Sequence, residues 1–269
     1  NNPRSPLRLS LVVDRSGSMD GQPLTEALRC VDHIVSRLRE TDQVAVVLYD
    51  HEVKVAMPLC SAGNSAKLRA ALAGVDSGGS TDLHSGWDAG ARELLLGVPG
   101  AISRVILLSD GQANHGQLDP VYIAGRCAYW AERGVSTTTV GLGRAFNEEL
   151  MLAMAAAGGG QQYYGQTAND LFDGFDEELS LLEAMFLRKL RIKLIPGPGV
   201  VAEVLGQFQK LDDGRYALSD LAWAAESWLL VRLHVGALTS DVDKRQDLAS
   251  LGKRALLAAT LEAEDMQGG

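Results

Sequence analysis

Leu7 to Met19 reads LRLSLVVDRSGSM. The first seven residues form a short apolar run, rich in Leu and Val, whose length suits a strand buried on both faces. It stops at Asp14, and the next five residues are Asp14, Arg15, Ser16, Gly17 and Ser18. From Pro23 to Leu38 the apolar positions Leu24, Ala27, Leu28, Val31, Ile34, Val35 and Leu38 recur at helical spacing. Pro23 suits the first turn of that helix. A buried strand, a loop of carboxylate and hydroxyls, then a helix is the opening unit of an alternating α/β chain.

The alternation continues outward. Val44–Tyr49 and Val53–Met57 read as strands joined by a turn at Asp50-His51, an antiparallel hairpin. Helices are expected at 64–72 and 82–96, separated by the glycine-rich loop SGGSTDL (77–83). Arg104–Leu108 is a buried strand ending at Ser109-Asp110-Gly111. A helix over 120–132 stops at Gly134. Then follow a strand (135–140), a helix (148–156), a Gly158-Gly159-Gly160 stop, a short strand (161–164) and an amphipathic helix (169–185). This order predicts a doubly wound, mostly parallel, Rossmann-like sheet covered on both faces. From about Arg188 the pattern changes to alternating runs at 189–195, 200–205, 215–218 and 228–235, separated by Pro and Gly turns. Residues 255–263 fit a strand or a helix, with a strand before a Met-Gln-Gly-Gly turn favoured. The expected division is an α/β domain over 1–187 and a smaller β-rich, sandwich-like domain over 188–269. A chain ending at Gly268-Gly269, so soon after a strand, reads as truncated.

The chemistry lies in three loops. In doubly wound sheets ligands bind beyond the carboxyl ends of the strands, where strand order reverses. If the first strand is central, Asp14 and Asp110 arrive there from two strand ends, and Thr81 comes from the glycine-rich loop. Asp14, Ser16, Ser18, Thr81 and Asp110 offer only hard oxygen donors, which suit Mg²⁺, Ca²⁺ or Mn²⁺ rather than zinc or copper. Two carboxylates balance a divalent charge, and Mg²⁺ at about 2.1 Å keeps some of its waters. Hydroxyls are weak neutral ligands, so the ion would stay open to one more carboxylate. Gly17 is expected to make the tight turn that points both serines inward. The competing reading of Asp14–Ser18 is a helix N-cap.

VVDRSGSM (12–19), GGSTDL (78–83) and LLSDGQAN (107–114) resemble the metal-ion-dependent adhesion site (MIDAS) of von Willebrand factor A domains. The resemblance covers roughly Leu7 to Met185. It implies the strand order 3-2-1-4-5-6, with one antiparallel edge strand. It implies direct metal contact by Ser16 and Ser18, then by Thr81 or Asp110, with Asp14 acting through water. It also implies a metal-dependent protein-binding module, favouring Mg²⁺, whose partner supplies an Asp or Glu carboxylate. LSDLAWAAESWLLVRLHV (218–235) resembles the β-rich segment that follows the A domain in some bacterial members and in the inter-alpha-trypsin inhibitor heavy-chain type.

Composition narrows the alternatives. Apolar residues make up 46% of 269, enough for a sizeable core. A net charge of −9 argues against non-specific nucleic-acid binding and against anionic membranes. No apolar run is long enough to span a bilayer. Asn1–Pro6 holds no signal-peptide core, which points to the cytoplasm unless a signal has been removed. Cys30, Cys60 and Cys127 make a poor disulfide or zinc framework and read as small buried hydrophobes. His51, His84 and His115 follow no metal-ligand spacing and read as turn, helix-start and loop residues. Arg15 stands beside the open metal position, either free in solvent or holding a partner carboxylate. Gly141-Leu142-Gly143 lacks a dinucleotide fingerprint. Trp223 and Trp228 are expected in the core of the β-rich segment. The rival function is a Mg²⁺-dependent hydrolase. It needs an activated nucleophile, a general base or a second metal, and none stands in a recognisable pattern, so no catalytic residue is assigned. The sequence leaves the oligomeric state open.

Overall fold

A computed structural model describes residues 5–95, 101–110, 112–143, 146–206, 208–222, 226–236 and 255–265. Asn1–Arg4, Leu96, Gly111, Trp223 and the Met-Gln-Gly-Gly turn, all read above from sequence, lie outside these. The chain divides into two compact units, with boundaries between Phe186 and Leu187 and between Glu264 and Asp265, Asp265 grouping with the first unit.

In the first unit, β1 (Leu7–Asp14), α1 (Gln22–Ser36), β2 (Gln43–Tyr49), β3 (Val53–Ser61), α2 (Ser65–Leu72) and α3 (Leu83–Glu93) come first. Then follow β4 (Ile102–Ser109), α4 (Pro120–Glu132), β5 (Val135–Leu142), α5 (Glu148–Ala157), β6 (Gly159–Gly165) and α6 (Ala168–Glu183). The six strands form one sheet in the order β3-β2-β1-β4-β5-β6, and only β3 is antiparallel to its neighbour. The doubly wound fold expected from the sequence is therefore present.

Side-chain alternation along β1 explains why helices cover both faces. Leu7, Leu9, Leu11 and Val13 share a core with α1 and α6 residues such as Ile34 and Phe175. Val12 points to the other core, with Trp87 of α3 and Ile123 of α4. A strand apolar on both faces is stable only when both are covered, and each fully buried Leu contributes about 1.5–3 kcal/mol. Helix α3 packs close on β1, because a Cβ at Gly90 would stand 2.2 Å from Val12 Cγ2.

The glycine triplet divides differently from expectation. Gly158 caps α5, whereas Gly159 and Gly160 already belong to β6. A Cβ at Gly160 would stand 2.1 Å from the Thr137 carbonyl oxygen, so the close approach of β6 to β5 needs glycine there.

The second unit contains β7 (Met185–Pro196, which begins in the first), β8 (Val200–Leu205), β9 (Tyr216–Ala217), β10 (Leu221–Ala222), β11 (Leu230–Val235) and β12 (Leu257–Asp265). Strands β10, β7 and β12 lie side by side, β9 pairs with β7, and β8 pairs antiparallel with β11. Residues 257–265 are thus a strand. Trp228 corrects its expectation: it lies in coil before β11 and is 81% exposed, so it fills no core. The sequence pattern marked the strand but not which side of its start is covered.

Candidate metal centre

The parallel pairing of β1 with both β2 and β4 places their carboxyl ends together. Asp14 is in register with Tyr49, and Val13 with Leu108. Asp14 is completely buried. One carboxylate oxygen accepts the Ser16 backbone N–H at 2.8 Å. The other accepts the Ser109 hydroxyl at 2.6 Å and the Tyr49 hydroxyl at 3.2 Å.

The two serines are not spent on capping. Ser16 heads a short 3-10 turn, Gly17–Met19, and makes no side-chain cap bond. Helix α1 is led by Gly21, not by a side chain from this loop. Instead the Ser16 and Ser18 hydroxyls stand 3.2 Å apart. Gly17 opens this tight turn without using positive φ. Gly79, in the facing loop, does use positive φ, at +76°. A Cβ there would stand 2.3 Å from His51 Nδ1.

Backbone bonds stitch the loops together. Gly17 N–H donates to the Gly79 carbonyl at 3.1 Å, and Gly78 N–H to the Arg15 carbonyl at 2.9 Å. Thr81 N–H donates to Asn114 Oδ1 at 2.8 Å, while its carbonyl accepts from the Asn114 and His115 amides, both at 3.1 Å. Asp110 Oδ1 accepts the Gln112 amide at 3.0 Å. The structure thus brings the Asp14–Ser18, Thr81 and Asp110 loops to one edge of the sheet. Asp14, Ser16, Thr81 and Asp110 are buried, and Ser18 is exposed.

Electrostatically the centre is short of positive charge. Burial pushes the Asp14 carboxyl above the ordinary carboxylate range, and hydrogen bonds from Ser109 and Ser16 offset part of this. The negative charge of Asp110 pushes it further up. Burial and the Asp14 charge hold the Tyr49 phenol well above its usual value. A bound divalent cation reverses that logic by rewarding both ionised carboxylates. The donor set fits such an ion. Neither the Thr81 hydroxyl nor the second Asp110 oxygen is used in a hydrogen bond with a described residue. Both Asp14 oxygens are already engaged. Among the described residues, no three His, Cys, Asp or Glu side chains form a cluster able to hold a metal, so an ion held here would also need hydroxyls.

Several supporting residues escaped the sequence reading. Tyr49, Ser109 and Asn114 hold Asp14 and Thr81, and Asp50 holds Arg15 and the Thr81 loop. Ser109 and Asn114 stood inside the quoted motifs without a role. Arg15 follows neither expected behaviour: its Nη2 pairs with the buried Asp50 carboxylate at 2.8 Å. The Asp50 carbonyl also accepts the Asp82 amide at 2.8 Å. His51 is a half-exposed turn residue whose Nδ1 lies 3.1 Å from Asp50. His84 opens α3 with its Nε2 buried and unpartnered. Cys30 and Cys127 are buried, and Cys60 is partly so.

Comparison with known proteins agrees with this architecture. An uncharacterized Synechocystis protein, sll0103, is 31% identical over 172 residues, covering 64% of this chain and 40% of that protein. The chain spans 20–40% of the length of the curated relatives it matches. A von Willebrand factor type A structure from Catenulispora acidiphila superposes with TM-score 0.72 at 18% identity, covering 98% of this chain and 64% of that one. Proximal thread matrix protein 1 of the mussel byssus, solved with a zinc-occupied MIDAS motif, gives TM-score 0.55 at 21% identity, covering 66% and 46%. No described helix is long and apolar enough to cross a membrane. The model of the von Willebrand factor type A domain matches residues 9–177, most of the first unit, and the chain belongs to that family.

Proposed function

We propose that this chain is a divalent-metal-dependent protein-binding module. In this reading Asp14, Ser16, Ser18, Thr81 and Asp110 hold one Mg²⁺, and a partner's Asp or Glu carboxylate completes its coordination. The observation that carries it is the meeting of the Ser16, Ser18, Thr81 and Asp110 oxygens at one edge of the sheet, with the Thr81 hydroxyl and one Asp110 oxygen unused, beside two carboxylates that repel each other. Family members commonly mediate metal-dependent protein interactions, and the MIDAS of the family binds divalent metals. Mg²⁺ suits oxygen donors with retained water, and zinc, present in the mussel protein, is the ion to compete against it.

The residues divide the work. The Thr81 hydroxyl and the second Asp110 oxygen meet no described hydrogen-bond partner, and the Ser16 and Ser18 hydroxyls pair with each other. Asp14 has both oxygens engaged, which favours action through water. Tyr49 and Ser109 orient Asp14, and Asn114 fixes the Thr81 backbone. Neutral hydroxyls leave the ion electrophilic, so an incoming carboxylate forms a strong contact in a partly dry site. We assign no catalytic residue. The reading includes the domain division: residues 1–187 carry the metal and 188–269 form a separate β-rich domain.

Calorimetry on metal-stripped protein tests this. One Mg²⁺ site is expected, lost in Asp14→Ala and in Asp110→Ala, with far-UV circular dichroism unchanged. Mg²⁺ binding that persists in both variants overturns the assignment.

A further inference from the structure

A groove of about 530 Å³ lies between the edge strand β3 and helix α2. Its walls are about half apolar, the apolar part including Met57 and Leu59 of β3, Ala70 and Ala71 of α2, and Val75 just beyond α2. That volume lies within the range of small-ligand sites. Three cations line it, Arg15, Lys54 and Lys67, against one acid, Asp76. Arg15 is neutralised by Asp50. Lys54 and Lys67 are exposed, and neither pairs with an acid among the described residues. In a chain of net charge −9 this is a locally cationic opening.

The groove adjoins the candidate metal loops through Arg15 and the segment that leads to Thr81. Arg15 stands between Asp14 and Ser16, and its carbonyl accepts the Gly78 amide. The segment from Ala73 to Asp76 closes the groove and runs on, five residues later, to Thr81. A peptide whose carboxylate reaches the metal therefore has neighbours at the groove's mouth. Charge decides what those neighbours carry. Two unpaired lysines beside a half-apolar channel favour an acidic, partly apolar segment and steer it there.

We propose that this groove is a second subsite for the same partner. It receives an extended partner segment adjoining the metal-bound carboxylate, with apolar side chains between β3 and α2 and a second Asp or Glu facing Lys54 and Lys67. The proposal rests on the metal reading above.

A displayed random-peptide library, panned on the full chain in Mg²⁺ and eluted with EDTA, provides the probe. The expected motif has two acidic positions separated by apolar residues. A selected synthetic peptide is then titrated against the parent chain, Lys54→Glu/Lys67→Glu and Ala70→Glu, all three changes being at exposed positions. Each variant is expected to bind about tenfold more weakly or worse, with unchanged Mg²⁺ affinity and melting temperature. The groove proposal is overturned if the variants bind the peptide as the parent does. It is equally overturned if EDTA releases only peptides with a single acidic position and no apolar preference, or none at all. Calorimetry with Mg²⁺ alone separates this from failure of the metal reading: Mg²⁺ that still binds leaves the centre standing, whereas absent binding removes both.

Discussion

Replacing Glu178 with Leu is expected to destabilise the first unit severely, because it strands a buried cation. Glu178 sits on α6 with its side chain 1% exposed, and its ion-pair partner, Arg104 of β4, is 5% exposed. The carboxylate also accepts the Thr138 hydroxyl at 2.7 Å and the Tyr163 hydroxyl at 3.1 Å. Arg104 in turn donates to Ser136 Oγ at 3.0 Å and Thr138 Oγ1 at 3.1 Å. Burial and the charge of Glu178 push the Tyr163 phenol above its usual range. Removing one partner of a buried pair costs roughly 3–5 kcal/mol, since the remaining charge has no compensation. The hydroxyls that lose an acceptor add to this, with about 1 kcal/mol for each one left unsatisfied. A loss of about 4 kcal/mol is a large share of the 5–15 kcal/mol typical of a domain. At 2–4 °C per kcal/mol for a unit of this size, the midpoint should fall by roughly 8–16 °C. The double variant Arg104→Met/Glu178→Leu should recover much of the loss, because apolar replacement of both partners is often close to neutral. Thermal and urea unfolding followed by circular dichroism measure these two variants and the single Arg104→Met, and hence the coupling between the positions. A cost below about 1 kcal/mol for Glu178→Leu, or a double variant no better than the sum of the singles, refutes this reasoning.

Three further outcomes follow from the geometry. Gly86→Ala would place a Cβ 2.3 Å from Cγ of the fully buried Tyr49, which hydrogen-bonds Asp14. It should cost about 1–3 kcal/mol by overpacking and weaken Mg²⁺ binding, read by urea unfolding and calorimetry; unchanged Mg²⁺ affinity removes Tyr49 from the support of the centre. Gly79→Ala combines positive φ with a clash against His51, so Mg²⁺ affinity and the melting temperature should both fall; an unaffected affinity contradicts the coupling of these loops. Burial acts to raise the Asp88 carboxyl, but bonds from Trp130, Arg92 and Arg126 prevail and hold it below its unfolded value of 3.8. Its stabilising contribution is therefore present above pH 3.8 and lost as pH falls through the lower folded value. Asp88→Asn should flatten the stability profile in that acid window, and an unaltered slope by circular dichroism would show that Asp88 does not cause it.

Local chemistry alone was enough to read the alternating frame. The apolar run of β1, the helical spacing of α1 and the Gly134 stop each follow from burial or backbone preference within a few residues, so neighbours in sequence carry the information. The five oxygen-bearing candidates were legible for the same reason, each standing just past a strand or in a glycine-rich loop. The residues that hold them were not. Tyr49 looks like one more apolar strand position until β2 lies in register with β1 and its hydroxyl meets Asp14. Arg15 looks like a solvent residue until the hairpin turn brings Asp50 to it. Glu178 lies one position before Leu179 on an amphipathic helix, and Arg104 opens an apolar strand. Nothing within either segment reveals that the two meet across 74 residues. Segment 255–263 stayed open between helix and strand because its apolar residues suit either period, and pairing with β7 decided it. Sequence determines what each segment can bury; only the packed sheet decides which polar groups are buried together, because their partners come from distant parts of the chain.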